Sequence, residues 1–170
     1  MTEVMNPQGI LAVVSKKEKK KINYTEDIIV ILDNIQDPGN LGTIIRTLDS
    51  AGIKQIILSK GTVDVYSSKV VRSTMGAIFR VNIIEAENLK NAISSIKEHG
   101  YQVMATSLQG AKSIYDVNYK KVGIIIGNEA NGVSKEILNL ADQKIKIPML
   151  RKNRKLKCSS SNQYYCLRAY

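Results

Sequence analysis

Two stretches of the chain carry residues whose types and spacing could do chemistry. In the first, Asp37-Pro38-Gly39-Asn40 combines a fixed φ, a permissive glycine and a short amide able to cap a helix. Beyond it stands Arg46, the one charge in an otherwise apolar run of Leu41, Ile44, Ile45 and Leu48. A guanidinium stays protonated, so its chemistry is to hold a phosphate or carboxylate or to stabilise a developing oxyanion. The plainer reading is a surface arginine paired with Asp49 or another acid, and an Asn40 present only as N-cap. In the second stretch, Gly127-Asn128-Glu129-Ala130-Asn131-Gly132 sets a carboxylate between glycines, and Gly127 permits close approach by a ligand. Taken alone, that loop could be any turn leading into a helix.

Other chemistries lack support. No Gly-x-Gly-x-x-Gly follows the first apolar run and no Gly-x-x-x-x-Gly-Lys-Ser/Thr occurs, which removes the main signals for dinucleotide and nucleoside-triphosphate binding. The acidic pair of a phosphoacceptor receiver domain is missing. His99, the only histidine, ends a polar Lys97-Glu98-His99-Gly100 segment, and Cys158 and Cys166 match neither a metal site nor a disulfide framework. No metal is expected.

The elements that must position these residues follow from hydrophobic patterning. Ile28 to Leu32 reads as a buried strand, Leu41 to Ala51 as a helix stopped by Gly52, and Gln55 to Leu58 as a second strand. Ser67 to Gly76 reads as helical, Arg80 to Ile84 as a strand, and Leu89 to Glu98 as a helix with Leu89, Ile93 and Ile96 on one face. Strands follow at Tyr101 to Ala105 and Val122 to Ile126, then a helix from Ser134 to Leu140 and a strand from Lys144 to Ile147. Strands apolar on both faces, alternating with helices, predict an α/β fold with a mostly parallel sheet covered on both sides. Ligands bind such sheets beyond the carboxyl ends of the strands. The loops after Leu32, Ala105, Ile126 and Ile147 are therefore the ones to bear function.

At 170 residues and 44% hydrophobic content, the chain builds one domain. No uninterrupted apolar stretch reaches the ~18 residues of a membrane span, and the first residues lack a signal-peptide pattern, so a cytoplasmic protein is expected with no membrane partner. The net charge of +10 points to a polyanion such as nucleic acid. Six of the positive charges (Arg151, Lys152, Arg154, Lys155, Lys157, Arg168) fall after residue 150 with no acid among them. That leaves 19 basic against 15 acidic residues, or +4, for the body. A lysine run from Lys16 to Lys21, broken by Glu18, could track a phosphate backbone or be a solvated linker.

Read together, Asn34-x-x-Asp37-Pro38-x-Asn40-x-Gly42-x-x-x-Arg46-Thr47, then Gly127-Asn128-Glu129-x-x-Gly132, then Ile147-Pro148-Met149 closely resemble the first motif, the second motif and the start of the third motif of the SpoU-type (TrmH-like) RNA ribose 2'-O-methyltransferases of the SPOUT superfamily. The resemblance spans residues 25 to 150. It implies a sheet whose C-terminal part is tied into a trefoil knot, an exception to the rule against threaded chains. It further implies S-adenosylmethionine as cofactor, lined by Leu108, Gly127, Ile147, Met149 and Leu156, and a ribose held by Arg46 and Asn40 with Glu129 supporting the site. RNA, ribosomal or transfer, is the implied substrate, and a homodimer the implied working unit.

The chain departs from this pattern after Leu150. Residues 151 to 170, RKNRKLKCSSSNQYYCLRAY, lack the expected serine-leucine-asparagine run and any helical apolar period. Permitted synonymous codons for 150 to 170, read one nucleotide later, give LEKTESLNVAVATSIIAYEL, which restores that run over Lys155-Leu156-Lys157. A frame shift is thus the expected origin of this basic tail, sequencing the coding DNA is its test, and the knot is expected to be incomplete. The division expected is an arm or linker over 1 to 24, a methyltransferase domain over 25 to 150 and an aberrant tail over 151 to 170. Asn6 to Val14 looks like the joint that follows an RNA-binding domain in longer relatives, so the chain is either a minimal member or starts inside a longer gene. The alternative to an active enzyme is a catalytically impaired RNA-binding remnant; a nucleotide-binding domain of another class is more distant.

Overall fold

The computed structural model describes Gly9, Val13, Ser15 and residues 21–109 and 112–148. Met149, Leu156, the basic tail, the segment that would close a knot and most of the N-terminal arm lie outside these residues.

The first strand, β1 (Ile28–Asp33), is buried along its whole length, as its unbroken apolar run requires. It leads into α1 (Pro38–Ser50), which starts three residues earlier than the periodicity places it. Proline explains the shift: its preset φ and missing N–H suit the first helical position, and Asp37 before it becomes the N-cap. The Asp37 carboxylate accepts from the Asn40 backbone N–H at 2.7 Å. Asn40 is therefore not the cap, contrary to the plainer reading of the sequence.

After Gly52, whose φ of +71° ends the helix, β2 (Gln55–Ser59) pairs in parallel with β1. The next helix, α2 (Ser68–Ser73), is shorter than Ser67 to Gly76 because Met75 and Gly76 both take left-handed backbone, at φ +50° and +84°. A 3-10 turn over Ala77–Phe79 follows, and β3 (Asn82–Ala86) begins two residues later than Arg80, which is drawn instead onto Asp49 of α1. Then come α3 (Leu89–Glu98), capped by the Asn88 side chain, and β4 (Gln102–Thr106). A two-residue strand, β5 (Lys112–Ser113), and a 3-10 turn over Ile114–Asp116 have no counterpart in the sequence reading. The central β6 (Val122–Gly127), a short α4 (Lys135–Leu138) and β7 (Gln143–Lys146) complete the described elements.

All neighbouring strands run parallel, in the order β3-β2-β1-β6-β4-β7-β5. Helices cover both faces, as expected. On one, Val30, Leu32, Ile56, Ile124 and Ile126 pack with Leu41, Ile44, Ile45 and Leu48 of α1 and Val70 of α2. On the other, Ile29, Ile31, Ile57, Val103 and Ile125 meet Leu89, Ile93 and Ile96 of α3 and Ile137 of α4. Gly42 lets α1 approach α2: a Cβ there would stand 2.3 Å from that of Ser73. The described chain enters at the opposite, amino end of the sheet, where Gln55 accepts from the Asn23 N–H at 3.0 Å and Asn82 donates to the Lys21 carbonyl at 3.2 Å.

Candidate active site

The strand order reverses at β1 and β6. From β1 the chain steps outward through β2 and β3, then returns to build β4 on the far side, with β6 inserted between. A parallel sheet opens a crevice beyond the carboxyl ends at such a switch point. Asp33 and Gly127 end the two strands in register, so the two suspected loops leave the sheet side by side.

Three contacts from the ends of β1 and β6 bind these loops to each other or to β2. Asp33 is buried, and its Oδ2 accepts from the Ser134 N–H at 2.9 Å, holding the end of the second loop. Asn34 takes left-handed backbone at φ +60° and donates its N–H to Ser59 Oγ at 2.7 Å. Its carbonyl accepts from Asn128 Nδ2 at 2.8 Å. Outside this girdle, Asn40 Nδ2 donates to Glu129 Oε1 at 3.1 Å across 89 residues of chain. The structure thus brings Asn40, expected to serve the ribose, together with Glu129, expected to support the site. Freed from capping by Asp37, the Asn40 side chain is available for this contact.

Arg46 stands further away. It lies six residues beyond Asn40, or about 9 Å along the helix axis and a third of a turn around it. It is solvent-exposed and, among the described residues, has no ion pair. Asp49 is already taken: Arg80 donates Nε to both its carboxylate oxygens, at 3.0 and 2.9 Å, and Nη2 to Oδ2 at 2.6 Å. These bonds and the Asp49 charge raise the Arg80 pKa further above its ordinary value. The bland pairing of Arg46 with Asp49 is therefore not what the fold uses.

Three of the five positions expected to line a cofactor also fall together. Gly127 ends β6, Leu108 follows β4 and Ile147 follows β7, and these three strands are neighbours. Their carboxyl ends span about 10 Å at ~4.8 Å per strand. Leu108 is 76% exposed, a large apolar side chain held open at this edge, while Ile147 is half-buried against the core. The Ser107 N–H donates to the Ile145 carbonyl at 3.0 Å, which fixes the loop of Leu108 beside β7. Gly127 admits no side chain, since a Cβ would lie 2.0 Å from the Val133 nitrogen. Met149 and Leu156 lie outside the described residues. Among those residues, no cluster of three or more His, Cys, Asp or Glu could hold a metal, and no helix is long and apolar enough to cross a membrane.

Sequence reasoning did not single out Asp33, Asn34, Ser59 or Asn128 as structural ties. Asn34 and Asn128 stand inside the quoted motifs, and polar residues at the ends of two apolar strands were the available signal.

Comparison with known proteins agrees with this fold. A model of the SpoU rRNA methylase family matches residues 27–163. The 23S rRNA (guanosine(2553)-2'-O)-methyltransferase RlmP of Bacillus subtilis is 34% identical over 150 residues, covering 88% of this chain and 59% of the relative. An AdoMet-bound rRNA methyltransferase from Sinorhizobium meliloti superposes with a TM-score of 0.81 at 36% identity, over 87% of this chain and 57% of that one. A TrmH/SpoU tRNA modifying enzyme from A. aeolicus gives 0.76 at 30% identity, over 84% and 73%. The chain spans about three fifths of the length of curated relatives it matches.

Proposed function

Because the chain belongs to the SpoU rRNA methylase family, we propose that it transfers a methyl group from S-adenosylmethionine to a ribose 2'-hydroxyl of ribosomal or transfer RNA. The observation that carries this reading is the Asn40–Glu129 contact at the β1/β6 switch point, where two loops far apart in sequence present polar groups at one edge. In support, relatives matched over most of this chain are named as rRNA and tRNA methyltransferases, and one neighbouring structure holds AdoMet. The domain proposed to act is 25 to 150, in a cytoplasmic homodimer.

The residues present fit such a cofactor. The edge formed by β6, β4 and β7 offers apolar side chains, Leu108 and Ile147, beside strand-end backbone groups, a mixture suited to a nucleoside with apolar faces and hydrogen-bonding edges. Met149 and Leu156 are proposed to complete it. When bound, S-adenosylmethionine supplies a methyl already activated on a sulfonium.

The protein's own task is then positioning. Arg46, charged and unpaired among the described residues, is proposed to orient the 2'-hydroxyl or its neighbouring phosphate and to stabilise negative charge growing on the oxygen. Asn40 fixes one oxygen of the Glu129 carboxylate, which keeps that carboxylate at the mouth of the crevice where the ribose hydroxyl must enter.

The test is calorimetric titration with S-adenosylmethionine, followed by transfer of labelled methyl to ribosomal and transfer RNA pools. Label that makes the adjacent phosphodiester resist alkali locates the methyl on the 2'-oxygen. Micromolar cofactor binding with alkali-resistant label is expected. No heat at high cofactor concentration overturns the reading in favour of an RNA-binding remnant, and repeating the titration on a chain carrying the serine-leucine-asparagine run after Leu150 assigns any weakness to the tail.

A further inference from the structure

We propose that Asn128 is a positioning residue for methyl transfer, acting as a strap that ties the Glu129 loop to the end of β1 and so keeps Glu129 within reach of Asn40. The role of Asn128 in transfer rests on the methyltransferase reading above; the strap itself does not.

The geometry gives Asn128 two separate tasks. Its Oδ1 accepts from the Ala130 N–H at 2.9 Å and the Asn131 N–H at 3.1 Å, which folds the loop back on itself. The Asn128 carbonyl accepts from the Gly132 N–H at 2.9 Å and closes the same turn, with Gly132 at φ +73°. Its Nδ2 points the other way and donates to the Asn34 carbonyl at 2.8 Å. Only an amide can do both, since a carboxylate lacks the donor and a hydroxyl lacks the reach. Asn128 is 8% exposed, so water does not readily replace either bond.

The far end of the strap is itself held. Asn34 sits in left-handed backbone with its N–H on Ser59 Oγ, and Gly61 passes so close that a Cβ there would lie 2.4 Å from Asn34 Oδ1. The carbonyl that receives Asn128 is thus fixed by the end of β2, the strand beside β1. Glu129, next in the chain, is exposed, and its Oε1 accepts from Asn40 Nδ2 at the start of α1. Asn128 sets the height of the loop; Glu129 and Asn40 register it.

Asn128→Asp separates the two tasks. A carboxylate keeps both loop-folding acceptor bonds but sets a second oxygen against the Asn34 carbonyl oxygen. Displacement of a positioned group by about 1 Å costs on the order of 100-fold in rate. In the full chain, N128D is expected to lower kcat by about that factor while the RNA KM and S-adenosylmethionine affinity stay within about threefold. N128D/E129Q is expected to be no slower than E129Q alone, because Asn128 acts through Glu129. The strap is also read without activity, from the side-chain amide 1H–15N signals of Asn40. These are expected to move in N128D to the position they take in Glu129→Ala, which removes the acceptor of the Asn40 amide. Should N128D fail to fold, Ser59→Ala, which loosens the seat of Asn34, is expected to move the same signals part of the way. Asn40 signals unchanged in these variants, or rate losses in N128D and E129Q that simply add, overturn the proposal. A wild-type chain that methylates no RNA while its Asn40 signals respond as stated refutes the methyltransferase reading and leaves the strap intact.

Discussion

Two alanine substitutions on one strand should have opposite consequences. Gly123 and Gly127 both lie on β6 and are both buried. A Cβ at 127 would stand 2.0 Å from the Val133 nitrogen, 2.1 Å from the Gly132 carbonyl carbon and 2.4 Å from its oxygen. All three are backbone atoms of the returning loop, with no flexible side-chain end to swing away. Ordinary contact begins at 3.4 Å, so the loop must retreat by 3.4 − 2.0 = 1.4 Å. A retreat of that size breaks the Asn128–Gly132 bridge and pulls Ser134 from Asp33. Overpacking of this kind costs about 3 kcal/mol, which for a chain of this length is about 6–12 °C in melting temperature. A Cβ at 123 would instead meet only Ile31 Cδ1 and Ile96 Cγ2 at 3.5 Å and Val103 Cγ2 at 3.6 Å, all normal packing distances. Reduced freedom of the unfolded chain then makes Gly123→Ala neutral to about 1 kcal/mol stabilising. Scanning calorimetry on both variants is the assay. A Gly127→Ala melt within about 2 °C of wild type, or a Gly123→Ala protein less stable than Gly127→Ala, would refute the close approach of the loop to β6.

Three further outcomes are expected. Gly42→Ala should lower stability by about 1–3 kcal/mol by forcing α1 from α2, and Ser73→Gly should recover part of that loss in the double variant because the 2.3 Å clash is with the Ser73 Cβ; a thermodynamic cycle from urea melts measures the coupling. Arg46→Ala should leave the melting temperature unchanged, since the side chain is exposed and unpaired among the described residues, yet abolish methyl transfer, and Arg46→Lys should not restore it because the planar fork is lost. Tyr101 donates to the Glu26 carbonyl, and burial first, then the charges of Asp27 and Glu26, raise its pKa above the ordinary 10. The folded state therefore binds the phenolic proton more tightly than the unfolded state, and this stability is present below pH 10 and lost as pH rises through the raised value. Tyr101→Phe should be the less stable protein at pH 7 and should lose less stability than wild type above pH 10, as followed by chemical denaturation across that range.

The elements that the sequence made legible are those whose signal is local. Ile28 to Leu32 and Val122 to Ile126 have no polar residue to misplace, and α3 has one apolar face with Asn88 before it and Gly100 after it. Misreadings occur where a distant contact decides. Whether Asp37 or Asn40 caps α1 is ambiguous by residue type, because both can cap; Pro38 settles it by taking the first helical position. The start of β3 is delayed because Arg80 reaches an acid 31 residues earlier in the chain. The two residues of β5 have no pattern of their own, and only their register with Ile145 and Lys146 makes them a strand. The site follows the same division. Its loops could be found by type, but that Asn40 would face Glu129 depends on β6 inserting beside β1, a consequence of topology rather than of either loop.

That topology also separates the two halves of the proposed site. The ribose half is built from the ends of β1 and β6 and is closed by its own bonds, Asp33 to Ser134, Asn34 to Asn128 and Asn40 to Glu129, all between residues 33 and 134. The cofactor half draws on the ends of β6, β4 and β7 and, by the family pattern, on Met149 and Leu156 at and beyond the point where composition changes. Gly127 alone belongs to both, since it ends β6 in register with Asp33 and also begins the edge that runs to Leu108 and Ile147. Replacing residues 150 to 170 by the run read one nucleotide later should therefore change affinity for S-adenosylmethionine without moving the Asn40 amide signals, whereas Glu129→Gln should move those signals without changing the affinity. Only a substitution at Gly127 should disturb both readouts, and a Gly127→Ala protein that is impaired in one alone would show that the halves meet somewhere other than the end of β6.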